Sequence, residues 1–199
     1  ATTPTTAAAA ITASVYQLGR LGVISYGCPL WAMEMYARSF APWNHFDCTA
    51  WLERLAGGLG NGPYVNCTDC ATIVSTFANA LGCDLWQSRM GRYSPQFATF
   101  PILAIGTLQW QIPCGVWPAF SFHEVAWTGR CSDDDLVFDA CLLLDADLMP
   151  WFAPRQARLP VAARFGRPGE GGYRDQLATP LGRFDCVARS QERRRRLVF

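Results

Sequence analysis

The chain has 199 residues, 50% of them hydrophobic and 13% aromatic, enough to bury one sizeable core without a second domain. A net charge of +1 gives no reason to expect nucleic acid or an acidic partner. No apolar run reaches the roughly 18–20 residues that a membrane span needs.

All 17 basic side chains are arginine, and there is no lysine. Lysine is normally among the commonest residues. Its absence has two readings: a codon-usage preference for Arg and Ala, or avoidance of modification of the protein's own amines. The second would suit a lysine-directed acyltransferase or a secreted or delivered bacterial protein. Nine cysteines fit either pairs plus one free thiol in an oxidising compartment or reduced thiols acting as small core hydrophobes. The chain starts at Ala1 without a signal-like segment, which reads as a processed or excised piece.

In chain order, residues 1–10 (ATTPTTAAAA) are low-complexity and expected to be flexible. A single domain is expected over 11–190, with a basic tail over 191–199. Ile11, Val15, Leu18 and Leu21 recur at helical spacing. A second helix is expected after Pro29, with Leu30, Met33, Ala37 and Phe40 on one face. Asp47 is placed to N-cap a third, carrying Cys48, Trp51, Leu52 and Leu55, stopped by Gly57 and Gly58. A fourth runs from Cys67 to Gly82, with Asn66 as N-cap, Asp69 returning the bond, and Ala71, Val74, Phe77, Ala78 and Leu81 at helical period. The first 82 residues are thus expected to be mostly helical.

The period then changes to that of strands. Leu108, Trp110 and Ile112 alternate, as do Phe120, Phe122, Glu124 and Ala126 against Ser121, His123, Val125 and Trp127. Residues 136–144 (LVFDACLLL) read as one apolar strand, and GRCSDDD between the last two runs as the turn of an antiparallel hairpin. A hairpin symmetric about Cys131 places His123 directly opposite Asp139. A one-residue slip would put them on opposite faces. Asp139 sits in an apolar run, where a carboxylate needs a partner, and His123 is one of two histidines in the chain.

Cys67 lies in the first turn of its helix, where free N–H groups and the positive end of the dipole favour a thiolate. The run CTDCATIVSTFANALG resembles the active-site helix of the transglutaminase-like superfamily, papain-like in its logic. There a nucleophilic cysteine opens a helix that closes in Leu-Gly fifteen residues on, the interval from Cys67 to Gly82. His123 in FHEVAW and Asp139 in VFDACLLLD follow in that family's order. Glu124 departs from the aromatic commonly found after the histidine, and the strand of Asp139 lacks the usual Trp.

The resemblance, which covers roughly residues 60–145, implies an α+β fold with N-terminal helices packed on an antiparallel sheet. It implies Cys67 as nucleophile, His123 as general acid/base and Asp139 as orienting group in a cysteine-dependent amide hydrolase or acyltransferase. The products would be those of a protease, a deamidase or a transglutaminase, with a protein or peptide as substrate. The Cys67 N–H would be one oxyanion donor, and Asn66 and Asn61 are candidates for the second. That chemistry needs no cofactor and no metal. Cys70, three residues on, reads as packing, with a resolving or redox role as the alternative.

Two other readings stay open. His45, Cys48, Cys67 and Cys70 form H-x-x-C, eighteen residues, then C-x-x-C, a spacing that fits a structural zinc site. A binding or structural module could also keep the fold without activity. From Asp145 to Gly172 a Pro-, Arg- and Gly-rich stretch reads as an ordered cover anchored by Ala163, Phe165 and Tyr173, with Cys186 able to tie it down if oxidised. The RRRR run at 193–196 reads as a short solvated tail.

Overall fold

The computed structural model describes residues 3–27, 35–40, 43–110, 119–148 and 157–199. Helix α1 spans Pro4–Arg20, with Thr3 as N-cap and proline in the first turn. Residues 4–10 of the alanine-rich start, expected to be flexible, are therefore helix. Alanine is the best helix former, and Ala8, Thr12, Val15 and Gly19 give α1 a buried face of small side chains. Gly19 permits a close crossing: a Cβ there would stand 2.5 Å from Gly106 N and from Ile105 Cγ1.

A short strand β1 (Ser25–Tyr26) follows. The helix expected after Pro29 is not formed over its described part. Ala37–Phe40 is strand β2, paired antiparallel with β3 (Trp43–Phe46), while Leu30 and Met33 lie outside the described residues. The reason is Asp69, whose Oδ1 accepts the N–H groups of Tyr36 (2.8 Å) and Ala37 (2.7 Å). Helix α2 (Cys48–Leu55) forms as expected, capped by Asp47 Oδ1 on Ala50 N at 2.9 Å. Strand β4 (Tyr64–Val65) pairs parallel with β1 and runs into helix α3 (Cys67–Ala80). The described residues among the first 82 thus interleave three helices with four short strands.

Strand β5 (Trp86–Met90) opens the second half. After β6 (Phe97–Ala98) comes β7 (Ile102–Ala104). The strand expected over Leu108–Ile112 is displaced upstream to β7; Leu108 is fully solvated and Ile112 lies outside the described residues. Strands β8 (Ala119–Phe120) and β9 (His123–Trp127) divide the next expected run at Ser121 and Phe122.

Residues 136–144 also divide, into β10 (Leu136–Phe138) and β11 (Leu142–Leu144). Asp139 breaks the run because its Oδ1 accepts the Cys141 N–H at 2.8 Å, a local turn that competes with the ladder. Strand β12 (Ala163–Arg164), the short helix α4 (Tyr173–Leu177) and strand β13 (Leu197–Val198) complete the chain.

The central sheet is antiparallel in the order β12–β10–β9–β5. Helix α3 packs on β9, and α1 packs on α3. The fold is α+β, with N-terminal helices on an antiparallel sheet. The covering segment is anchored as expected: Phe165 lies on Trp127 with ring centroids 4.8 Å apart, and Tyr173 is fully buried. The seven described cysteines, Cys186 among them, are free thiols. No helix of the described residues is long and apolar enough to cross a membrane.

The arginine run is not a solvated tail. Strand β13 pairs parallel with β3, Phe199 O accepts the Cys48 N–H at 2.9 Å, and the Arg196 side chain is completely buried. An arginine is buried only where a carboxylate meets it, and Glu124 does so.

Candidate active site

Two reciprocal bonds build the start of α3. Asn66 Oδ1 accepts the Asp69 N–H at 3.0 Å, and Asp69 Oδ2 accepts the Asn66 N–H at 3.1 Å. This is the capping box that the sequence foretells. Asp69 also ties the helix end to β2, so the position of Cys67 is fixed from two sides. Cys67 is the first helical residue and 7% exposed. Among the described residues its backbone N–H has no acceptor, which leaves a donor at the positive end of the helix dipole.

His123 and Asp139 do meet: Nε2 lies 3.0 Å from Oδ2, with both side chains 1% exposed. The register differs from the symmetric hairpin. Val137 pairs with Trp127 and Phe138 with Ala126, so the hairpin centres on Ser132. Extending that pairing puts 125 opposite 139 and 123 opposite 141. The partner of every residue has moved by two positions, which preserves the face. His123 and Asp139 are thus diagonal neighbours, not directly opposed ones.

With Nε2 engaged by Asp139, the Cys67 side chain is the other group close enough to the imidazole to act on its charge. Burial disfavours the imidazolium. The Asp139 charge and bond, joined by Cys67, outweigh it and push the His123 pKa up to about 10. Phe120 stacks on the ring at 5.5 Å and 14°.

Asp139 is held by three donors. Tyr173 Oη donates to Oδ2 at 2.7 Å, the Cys141 N–H donates to Oδ1, and His123 completes the set. Burial, then the Asp139 charge, keep the Tyr173 phenol protonated by raising its pKa well above the ordinary value. Hence Tyr173, expected only as an anchor, is the group that fixes the carboxylate.

On the other face of β9, Glu124 is the hub of a second network. Its Oε1 accepts from Arg196 Nη1 at 3.1 Å, and its Oε2 accepts from Arg194 Nη2 at 2.7 Å, Arg89 Nε at 3.1 Å and Thr68 Oγ1 at 3.1 Å. Arg196 Nη1 also donates to Thr72 Oγ1 and Gln87 Oε1, and Gln87 Nε2 donates to Ser75 Oγ. Burial raises the Glu124 pKa, but Arg196, Arg194 and Arg89 together hold it below the usual carboxylate range. The Thr68–Glu124 bond joins the residue after the thiol to the residue after the imidazole and so sets their spacing.

The expected oxyanion donors fare differently. The Asn61 amide is committed elsewhere, donating to Met35 O (2.9 Å) and Asp47 Oδ2 (3.3 Å), so it is removed from that role. Asn66 uses its side-chain oxygen as the cap and its backbone N–H on Asp69, so Nδ2 is the donor left to it for that role. Tyr26 was not foreseen. It pairs with Val65, two residues before Cys67. Burial, followed by the charges of Cys67, Cys141, Cys70 and Asp139, keeps its phenol protonated and able to donate. Nothing local in the sequence points to it; only the β1–β4 pairing does.

The zinc alternative is not assembled. Among the described residues no three His, Cys, Asp or Glu side chains gather as a metal site, and the His45 ring packs edge-on against Phe199 at 5.4 Å. Comparison of the chain with protein-family models, curated proteins and solved structures returns no match.

Proposed function

We propose that this protein is a cysteine-dependent amide hydrolase or acyltransferase of transglutaminase/papain-like type, acting on a protein or peptide. The observation that carries the reading is the buried Asp139–His123 pair at 3.0 Å, with Cys67 beside it at the start of α3. A charged imidazole at neutral pH favours a thiolate beside it, since a thiol near pKa 8.5 is otherwise mostly unionised.

In this reading the Cys67 sulfur attacks the amide carbonyl, and the oxygen that gains charge meets the Cys67 N–H. His123 gives its proton to the departing amine as the C–N bond breaks, leaving a thioacyl-enzyme and a neutral imidazole. His123 then takes a proton from water or from a second amine, which attacks the thioester and restores the thiol. Asp139, held by Tyr173, keeps the ring oriented throughout.

The test is brief treatment of the full chain with a limiting alkylator, followed by intact-mass analysis of wild type, Cys67→Ala and His123→Ala. Fast labelling at one thiol, lost in the first variant and slowed in the second, is the expected result. Slow or indiscriminate labelling would overturn the activated nucleophile and leave a silent binding module.

A further inference from the structure

The chemistry above uses only the first cysteine of the C-x-x-C pair that opens α3, and the second is buried beside it. Cys70 is 1% exposed and stands one helical turn from Cys67, on the same broad side of the helix. Cys141, fully buried where the chain turns after Asp139, is a neighbour of Cys70. The three sulfurs lie close enough to act on one another electrostatically, and Cys67 is the outermost of them.

We propose that Cys67 and Cys70 form a reversible disulfide when the protein meets a hydroperoxide, with Cys70 as the resolving thiol that shields the nucleophile from irreversible oxidation. This rests on the reading of Cys67 as an activated thiol. The Cys67 thiolate attacks the terminal oxygen of the O–O bond, which breaks to give Cys67 sulfenic acid and an alkoxide that leaves as the alcohol after taking a proton from the His123 imidazolium. The Cys70 thiol then passes its proton to the neutral imidazole, and its sulfur attacks Cys67 Sγ. The S–O bond breaks, hydroxide takes that proton and leaves as water, and the S–S bond forms. One hydroperoxide is reduced and two thiols are oxidised, so the electrons balance.

Residues at i and i+3 on a helix have Cβ atoms roughly 5–6 Å apart, against roughly 3.5–4.5 Å in a disulfide, so closure needs a movement of only about 1–2 Å. It occurs in the first turn, whose N–H groups are not held by the helix itself. Without a neighbour to resolve it, a sulfenic acid in the site would go on to sulfinic acid, which dithiols do not reverse.

The experiment treats the full chain with equimolar hydrogen peroxide, blocks remaining thiols, and maps the products by mass in wild type, Cys70→Ala and Cys141→Ala. In wild type the expected product has lost two hydrogens, carries a Cys67–Cys70 link, and regains Cys67 labelling with dithiothreitol. Cys70→Ala should instead gain two oxygens at Cys67, with no recovery, while Cys141→Ala still forms the link. Sulfinic acid at Cys67 in wild type, or a link elsewhere, overturns the proposal. Alkylation of untreated protein separates the two readings: slow labelling of Cys67 sinks the nucleophile itself, and fast labelling followed by sulfinic acid sinks only the disulfide. Should Cys70→Ala fail to fold, the wild-type map decides alone.

Discussion

His123 and Glu124 are consecutive residues of β9, buried equally and each in an ion pair, yet their surroundings are built to opposite ends. His123 faces one carboxylate, one thiol and a stacked phenyl ring, so its charge depends on partners that can themselves gain or lose a proton. Glu124 faces three guanidinium groups, which do not titrate in any ordinary range, and its charge is fixed. The contrast shows how a reactive charge can sit in a protein interior. The strand that carries it is pinned by an unreactive charge on its other face, and the pin passes through Thr68 to the helix that carries the sulfur.

The largest effect should come from breaking the fixed side. Glu124→Leu leaves Arg196 buried without its carboxylate, which costs about 3–5 kcal/mol. Urea unfolding followed by tryptophan fluorescence would measure it, and Glu124→Leu combined with Arg196→Met should recover much of the loss because both charges are then gone. A single-variant cost below about 1 kcal/mol, the range of solvated pairs, would mean that the network is open to water and that the contrast is false.

Breaking the titratable side should act on chemistry more than on stability. In the folded protein the His123 pKa stands at about 10, against 6.5 in the ordinary case. The stabilisation from its charge is therefore fully present below about pH 6.5 and is lost as pH rises through about 10. Asp139→Asn removes the main source of that shift, so this alkaline loss of stability should move to lower pH or vanish. Alkylation of Cys67 at pH 7 should slow by roughly tenfold or more, because the charged imidazole beside it is lost. An unchanged pH profile of alkylation in Asp139→Asn would show that the carboxylate does not govern the imidazole.

The same contrast explains what could be read from the sequence. The capping box, the opening of α3 at Cys67 and the helix stop at Gly82 depend on residues within a few positions of one another, and these were legible. The meeting of His123 and Asp139 was legible through parity alone: two residues on one face stay there under a two-residue shift, so an incorrect hairpin centre still paired them. What escaped depends on distance along the chain. Tyr173 lies 34 residues beyond Asp139, and Arg196 lies 72 beyond Glu124. No local period marks either as a partner. The arginine run looked solvated because a run of like charge usually is, and only the buried acid in β9 reverses that. Residues 136–144 looked like one strand because their hydrophobicity is continuous, whereas a single carboxylate turning onto its own backbone divides them.

The smallest effect tests the link between the two sides. Thr68→Val keeps the shape of the side chain but removes the hydroxyl that donates to Glu124 Oε2 at 3.1 Å. Glu124 retains its three arginines, so the stability cost should be about 1.5–3 kcal/mol, that of one hydrogen bond to a charged group. The Asn66–Asp69 capping box still holds the helix start, so the sulfur should shift by less than the 1 Å misplacement that costs on the order of 10²-fold in rate. The expected outcome is a slowing of Cys67 alkylation well short of that figure, with its pH profile unmoved because the His123–Asp139 pair is untouched. A shifted pH profile would instead show that the Glu124 side tunes the imidazole electrostatically, and the division between a fixed and a titratable face of β9 would fail.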